Sequence, residues 1–204
     1  MTTAWVEPVT LAGTCVRLEP AGEEHHADLL AAGADDIVWA HLPWARPESE
    51  KEVRAYLDGE RERAVLPFAQ VDVATGRAVG ITTYRDIDAA NRTLEIGGTW
   101  LGRPWWRTAL NTESKLLFLG HAFEALGANR VAIKTDIRNE RSQAAIARLG
   151  AKREGVLRHQ MIRRDGTLRD TVMYSVIPEE WPGVRANLRA RLQAHGVTGG
   201  TRAG

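Results

Sequence analysis

Alternating apolar and polar positions mark three consecutive segments in the middle of the chain. They predict strands at residues 68–73, 78–84 and 93–101. Residues 74–77 (Ala-Thr-Gly-Arg) and 88–92 (Asp-Ala-Ala-Asn-Arg) separate these strands and have the small, polar composition of turns. Because such short connections join antiparallel neighbours, the pattern predicts a meander.

Helical spacing of apolar residues predicts helices before and after the meander. The predicted helices are residues 23–33, 48–63, 110–126, 139–149 and 183–194. Gly127 and Gly150 follow two of them, at a position where glycine readily ends a helix. Further strands are predicted at residues 14–18, 130–136, 153–162 and 171–177. The helix at 110–126 can carry a crossover between two parallel strands, so the whole pattern predicts a mixed α/β domain.

Length and charge narrow the possible functional classes. The 204 residues suit one domain, which we expect to span residues 1–195, followed by a flexible tail at 196–204. The 27 basic and 26 acidic side chains give no electrostatic reason to expect a nucleic acid or a membrane as partner. Cys15 is the one cysteine, so no internal disulfide can form. Since the N-terminus also has no signal-peptide pattern, we expect a cytoplasmic protein.

The sequence has no familiar metal or nucleotide motif. Its six histidines are not spaced as ligands, so no metal site is expected. Neither a Walker loop nor a dinucleotide-binding glycine pattern is present. The best candidate for chemistry is the junction between the strand 93–101 and the next helix, where arginines stand at 103 and 107. Free N–H groups at such a junction bind phosphates, although a capped helix with surface arginines would look the same.

A series of short motifs from residue 95 to 177 resembles the GNAT acetyltransferases, and among them the ribosomal-protein-alanine acetyltransferases. In family order, the motifs are Glu-Ile-Gly at 95–97, Trp106, Thr-Glu at 112–113, His-Ala-Phe-Glu at 121–124, Arg-Asn-Glu-Arg-Ser at 138–142, Arg-Leu-Gly-Ala at 148–151, Glu-Gly-Val-Leu-Arg at 154–158 and Asp-Gly-x-x-Arg-Asp at 165–170. The resemblance implies a GNAT fold, with a mostly antiparallel sheet of about seven strands, splayed at the fourth strand, and helices on both faces. It also implies that an acetyl group passes from acetyl-CoA to a primary amine by direct attack in a ternary complex.

The phosphate loop departs from the family pattern. The family usually has glutamine or arginine at the first position, glycine at the fourth and a small residue at the sixth. This chain has Pro104, Arg107 and Ala109 there. The Arg107 guanidinium could bind phosphate, or the change could mark loss of acetyl-CoA binding. The resemblance implies cofactor contacts from Trp100, Leu101, Arg107, Thr108, Ala109, Leu110, Asn111, Thr112, Asn139 and Ser142.

Two residues are expected to handle protons. Glu95 would be the general base, with a pKa raised by apolar surroundings, and pairing with Arg85 is the alternative. Ser142 matches a serine of the resembling group, whereas the tyrosine acid of many GNAT enzymes is replaced by Ile146. Asn139 and Ser142 could also simply begin a helix.

The strand that carries Glu95 contains Gly97-Gly98, a pair that often marks a bulge or a close backbone approach. Regular alternation along this strand would place Thr99 and Leu101 on the same face as Glu95, and Trp100 on the other.

The acceptor site is expected beyond the splayed strands, walled by Trp39, Trp44 and the loop 40–47, with Glu95 beside the amine. The acceptor could be a small-molecule amine or a protein N-terminus, and the sequence does not separate the two. The alternative function is a non-catalytic acyl-CoA-binding or protein-interaction module, which Arg107 and Ile146 favour. A homodimer through the C-terminal strands is a further expectation from the family.

Overall fold

The computed structural model describes residues 5–197, which contain one eight-stranded sheet. The strands are β1 (Leu11–Ala12), β2 (Val16–Pro20), β3 (Leu66–Asp72), β4 (Ala78–Asp88), β5 (Thr93–Leu101), β6 (Arg130–Asp136), β7 (Lys152–Ile162) and β8 (Leu168–Val176). They lie in the order β1-β2-β3-β4-β5-β6-β8-β7, and all neighbours are antiparallel except β5 and β6. The predicted strands are thus confirmed, with β1 as an addition. Residues 1–4 and 198–204 lie outside the described residues, so most of the predicted tail does too.

Five α-helices accompany the sheet in the described residues. They are α1 (His26–Ala32), α2 (Glu50–Glu62), α3 (Leu110–Gly120, continued by a π-helical turn over His121–Ala125), α4 (Glu140–Leu149) and α5 (Trp181–Ala194). Two of them, α2 and α4, begin at side-chain caps. The Ser49 hydroxyl accepts a hydrogen bond from the Glu52 N–H to start α2, and Gly150 (φ 105°) ends α4. Within residues 5–197, no helix is both long and apolar enough to cross a membrane.

The helices cover the two faces of the sheet unequally. A large apolar cluster joins one face to α3, α4 and α5, and it includes Leu94 and Ile96 of β5. A second cluster joins α1 and α2 to the other face, through β3, β4 and Trp100 of β5. Among the described residues, this second cluster takes no residue from β6, β7 or β8. The prediction of helices on both faces is confirmed, but one face is covered over only half of the sheet.

Strands β5 and β6 separate after a short stretch of pairing. Their register is Thr93 with Arg130, Leu94 with Val131 and Glu95 with Ala132, and it stops there. Beyond this point residues 96–101 of β5 remain paired only with β4. The splay predicted for this strand is therefore present, and it opens a gap in the sheet immediately after Glu95.

A bulge at Gly98 corrects the predicted alternation of β5. Gly98 has a φ of 56°, in the left-handed region that glycine adopts at little cost, and the register of β5 against β4 shifts by one residue here. The extra residue reverses the faces of the residues that follow it. Thr99 and Leu101 therefore lie on the α3 face, whereas Trp100 lies on the α2 face with Glu95.

A lysine is buried between α3 and the sheet. Lys115 is 7% exposed, and its Nζ donates hydrogen bonds to the hydroxyls of Thr99 (2.8 Å) and Thr82 (3.3 Å). No described carboxylate forms an ion pair with it. Because burial penalises the charged amine, the pKa of Lys115 falls from 10.5 to about 7.

Replacing Lys115 by methionine is expected to stabilise the protein, most strongly at pH 7 and below. Between pH 7 and 10.5 the unfolded chain holds a proton that native Lys115 has lost, so wild-type stability rises with pH across this window. At about 1.4 kcal/mol per pKa unit, the advantage of the variant should shrink by about 2 kcal/mol from pH 7 to pH 9. Urea unfolding of both proteins measures the difference, and an advantage that is constant with pH would contradict a lowered pKa. The hydroxyls of Thr82 and Thr99 remain hydrogen-bonded to each other (2.8 Å), so the substitution leaves neither of them without a partner.

Candidate active site

The catalytic candidate Glu95 lies on β5 where the gap between β5 and β6 opens. Its side chain is almost fully buried, and one carboxylate oxygen, Oε2, lies 3.0 Å from Nζ of Lys134. The other oxygen, Oε1, is buried and has no hydrogen-bond partner among the described residues. Burial raises the pKa of Glu95, and the charge and hydrogen bond of Lys134 only partly oppose this. A buried carboxylate with one free oxygen and a raised pKa is a stronger base than an ordinary exposed glutamate.

The partner of Glu95 is Lys134, and the alternative pairing with Arg85 is wrong. Arg85 instead binds the fully buried carboxylate of Glu60 on α2 (2.8 Å). Lys134 also contacts the exposed Asp86 (3.1 Å), so it joins β6 to β4 across the gap. The alternation of β6, with Val131 and Ile133 in the core, is the sequence signal that places Lys134 on the Glu95 face.

The junction between β5 and α3 forms a cradle of free N–H groups. Arg107 has a φ of 62°, so an arginine adopts the left-handed conformation for which glycine is the usual residue. The main-chain N–H groups of five residues donate no hydrogen bond to any described residue, namely Arg107, Thr108, Ala109, Asn111 and Thr112. Such a turn at a helix N-terminus is suited to bind phosphate.

Two arginines without acidic partners border this cradle. The guanidinium of Arg141, on α4, lies 3.7 Å from the ring centroid of Trp106. Burial lowers the pKa of Arg141, and the charge of nearby Arg107 lowers it further. Among the described residues, neither arginine forms a salt bridge. Two cations that repel each other beside free N–H groups are the donor set expected for an anion such as a pyrophosphate.

Several predicted cofactor residues have groups that are already engaged within the protein. The Thr108 hydroxyl donates to the carbonyl of Trp105 (2.8 Å), so it is already engaged. Leu110 is buried in the core. The carbonyls of Trp100 and Leu101 accept hydrogen bonds from the side chains of Gln70 (3.0 Å) and Trp106 (2.7 Å), respectively.

The second catalytic candidate, Ser142, lies in the first turn of α4. The Asn139 side-chain oxygen accepts a hydrogen bond from the Ser142 N–H (3.0 Å), which is a helix cap. Capping therefore accounts for the side-chain oxygen of Asn139. The Ser142 hydroxyl makes no hydrogen bond to any described residue. A cavity of about 250 Å³ adjoins this turn and is lined by Ile37, His41, Arg138, Asn139, Glu140 and Arg141.

Of the two tryptophans predicted to wall the acceptor site, only one is placed to do so. Trp39 is 1% exposed, and its Nε1 donates to the carbonyl of Gly33 (2.7 Å), so its side chain packs in the core. Trp44 is partly exposed and packs edge-on against Tyr56 (5.1 Å between ring centroids). A Cβ added at Gly98 would lie 3.3 Å from the Trp44 ring, so Trp44 borders the bulge that flanks the gap. The side chain of Trp39 is buried because it packs against other aromatic rings, although its position in the loop had suggested a cleft.

The wall behind Trp44 contains polar groups that the sequence did not reveal. The Tyr56 hydroxyl and the Trp100 Nε1 are both buried without a hydrogen-bond partner among the described residues. The two groups lie close to each other, because the Trp100 side chain partly opposes the rise that burial causes in the pKa of Tyr56, so they do not by themselves indicate a ligand. These two lie on the same face as Glu95, on the α2 side of the sheet.

Comparison with known proteins places the chain in a family. The sequence model of the family described as acetyltransferase (GNAT) domain matches residues 16–152. The Bacillus subtilis (strain 168) protein named "Putative ribosomal N-acetyltransferase YdaF" is 33% identical over 170 residues, which cover 81% of this chain and 91% of that protein. The crystal structure of a GCN5-related N-acetyltransferase from Brucella melitensis has a TM-score of 0.86 and 31% identity, covering 91% of this chain and 86% of that one. The chain therefore belongs to the GNAT acetyltransferase family and is an acetyl-CoA-dependent acyltransferase, as its motifs predicted.

A more distant relative shares the fold. RimJ of Mycobacterium smegmatis, solved in complex with CoA-disulfide, has a TM-score of 0.75 at 24% identity, covering 93% of this chain and 95% of that one.

Within residues 5–197, no group of three or more histidine, cysteine, aspartate or glutamate side chains has the arrangement of a metal site.

Proposed function

We propose that this protein transfers an acetyl group from acetyl-CoA to a primary amine by direct attack of the amine on the thioester in a ternary complex. The observation that carries the proposal is the position of Glu95 at the point where β5 and β6 separate, with one buried carboxylate oxygen unpaired. The phosphate cradle at the start of α3 lies at the far end of the same strand. A pantetheine chain that enters the gap from this cradle would bring its thioester towards Glu95.

Two proton transfers are needed, and Glu95 on β5 and Ser142 on α4 would carry out one each. A neutral amine is needed for attack, and Oε1 of Glu95 is free to take the proton that the amine loses. Lys134 holds Oε2 and so fixes the orientation of the carboxylate. When the bond from carbon to sulfur breaks, the departing thiolate needs a proton, which Ser142 can donate or relay through its free hydroxyl.

The acceptor is either a protein N-terminus or a small-molecule amine. The name of the Bacillus relative refers to ribosomal proteins and supports the first. The aromatic wall of Trp44 and Tyr56 also suits a small amine, because aromatic faces attract cations and apolar groups.

Thermal unfolding with and without acetyl-CoA is the experiment that tests the cofactor. Saturation at about 100 times the dissociation constant should stabilise the native state by about 2.7 kcal/mol, which is several degrees in a chain of this size. Thiol release in the presence of amines then tests transfer. Binding without thiol release from any amine or peptide N-terminus would favour the non-catalytic module, and no thermal shift at millimolar acetyl-CoA would contradict the proposal.

Arg107→Gly is expected to change stability and affinity in opposite directions. Glycine removes the cost of a left-handed side chain, about 1 kcal/mol, so the unfolding temperature of the free protein should rise. Loss of the guanidinium should weaken acetyl-CoA binding several-fold, and more at low salt, where charges are less screened. Calorimetric titration at two salt concentrations measures this.

The matched control for Arg107→Gly is Arg103→Ala, since Arg103 is exposed and already paired with Asp35 (3.0 Å). Equal affinities of the wild type and Arg107→Gly at both salt concentrations would show that Arg107 does not contact the phosphates.

A further inference from the structure

An arginine on β8 is largely buried and has no carboxylate hydrogen-bonded to it. Arg169, on β8, is 9% exposed, and its Nε donates to the hydroxyl of Thr171 (3.1 Å). Its two terminal nitrogens donate no hydrogen bond to any described residue, and it belongs to no salt bridge among them. Both terminal nitrogens reach the surface, so they are available to a group that arrives from solvent.

The carboxylate of Asp136, whose charge raises the pKa of Arg169, already has other partners. Asp136 accepts two hydrogen bonds from Arg163, at 2.6 Å and 2.7 Å, and a third from the Arg138 N–H (2.9 Å). Arg169 therefore shares the charge of Asp136 at a distance but has no direct bond to it. Because Arg163 already binds the carboxylate of Asp136, the terminal nitrogens of Arg169 remain available to bind another anion.

Arg169 and Glu95 lie on the same face of the sheet. On β8 the core residue Val172 lies on the face of α3, so Arg169, an odd number of residues away, lies on the opposite face. The same alternation places Glu95 and Lys134 there, and this is the half of the sheet that α1 and α2 leave uncovered. Burial lowers the pKa of Arg169 and the charge of Arg163 lowers it further, whereas the charge of Asp136 and, least of all, that of Glu95 raise it.

A contact between two loops lies close to this position. Arg164, in the turn between β7 and β8, donates to the carbonyl of Trp39 (3.1 Å) and so ties the hairpin to the segment after α1. His41 in this segment is also within range of the charges of Asp136, Arg163 and Arg169. The turn between β7 and β8 and the segment around His41 therefore meet near Arg169.

We propose that the terminal nitrogens of Arg169 bind an anionic group, a carboxylate in the first instance, on the same molecule as the acceptor amine. The inference rests on the proposed function, because it assigns the acceptor side of the same site. The amine would lie against Oε1 of Glu95 and the carboxylate against Arg169, so the acceptor carries both charges near each other. The planar fork of arginine binds a carboxylate through two parallel hydrogen bonds, which also fixes the orientation of the amine.

The test compares acceptors that differ only in the carboxylate. Thiol release from acetyl-CoA is measured with the free amino acids and with their C-terminal amides, and a peptide arm compares Ala-Asp-amide with Ala-Asn-amide. The proposal expects kcat/KM to be about tenfold or more higher for the anionic member of at least one arm. The amino-acid arm identifies a small acceptor, and the peptide arm identifies a protein N-terminus with an acidic neighbour.

Variants then assign the preference to Arg169. In Arg169→Gln the preference for the anionic acceptor should disappear, in Arg169→Lys it should be intermediate, and in the exposed control Arg158→Gln it should persist. A purely structural role would lower all rates together and leave the preference unchanged. Equal kcat/KM for anionic and amide acceptors in the wild type overturns the inference and leaves the proposed function intact, and this outcome needs no variant to fold. If neither series of acceptors releases thiol, the inference is overturned. The thermal shift by acetyl-CoA then shows whether the protein still binds the cofactor.

Discussion

Glu95→Gln is expected to lower kcat by about 100-fold or more on any acceptor that the wild type uses, with the thermal shift by acetyl-CoA unchanged. Glutamine has nearly the same shape and can still accept a hydrogen bond from Lys134, but it cannot take a proton. The loss of a positioned general base typically costs 10²- to 10⁴-fold in rate. Thiol release under saturating acetyl-CoA measures kcat, and a variant within a few-fold of the wild type would exclude Glu95 as the base.

The pH profile gives a second readout of the same group. Because burial raises the pKa of Glu95, wild-type activity should fall as pH decreases through a value above the ordinary glutamate range. A raised carboxyl pKa contributes stability below its unfolded pKa, and this contribution is lost as pH rises through the folded value. Glu95→Gln should therefore unfold at pH 7 at a temperature no lower than that of the wild type.

Asp86→Asn is the matched control for Glu95→Gln. Asp86 also contacts Lys134 (3.1 Å), but its side chain is 66% exposed. Its loss should change kcat little, which separates the role of the base from a general disturbance of Lys134.

Glu113→Ala is expected to destabilise the protein by about 3 kcal/mol or more. The carboxylate of Glu113, on α3, accepts hydrogen bonds from the main-chain N–H groups of Thr14 (2.8 Å), Cys15 (2.7 Å) and Val16 (2.8 Å), and its side chain is almost fully buried. Hydrogen bonds to a charged group contribute about 1.5–3 kcal/mol each, and truncation leaves the three N–H groups without their acceptor. In a chain of this size the expected loss corresponds to roughly 6–12 °C in Tm.

Thermal and urea unfolding measure the effect of Glu113→Ala, with two comparison variants. Glu113→Gln keeps one acceptor oxygen and should lose less, while Glu62→Ala, at an exposed position of α2, should be nearly neutral. A loss no greater in Glu113→Ala than in Glu62→Ala would show that the turn between β1 and β2 does not depend on this carboxylate.

The glutamate of the Thr-Glu motif shows how a correct motif can conceal its physical role. The residues 112–113 contribute to the family resemblance and mark the start of α3, but nothing near them in sequence indicates what the carboxylate binds. Its partners lie almost 100 residues earlier, in the turn before β2. The sequence could place Glu113 on a helix, and only the packed structure could place it against three N–H groups.

Local features of the chain were predictable because they depend on a few neighbouring residues. Periodicity gave the strands and helices, the asparagine and glycine caps gave the limits of α4, and Gly97-Gly98 indicated a bulge. The effect of the bulge was not foreseen. The extra residue in the bulge moves each later side chain of β5 to the opposite face of the sheet. Thr99 therefore accepts a hydrogen bond from Lys115, and Trp100 lies on the same face as Glu95.

The sequence by itself therefore determined the order of elements, the family, and the position of Glu95 on the splayed strand. Only the tertiary structure decided that Lys134 rather than Arg85 holds Glu95, that Trp39 is core, and that Arg107 adopts a glycine-like conformation beside Arg141. It also brought Arg169 to the face of Glu95. The physical reason is that a side chain's helical or strand position follows from its neighbours in sequence, whereas its charge partners come from elements that meet only when the sheet and its helices pack.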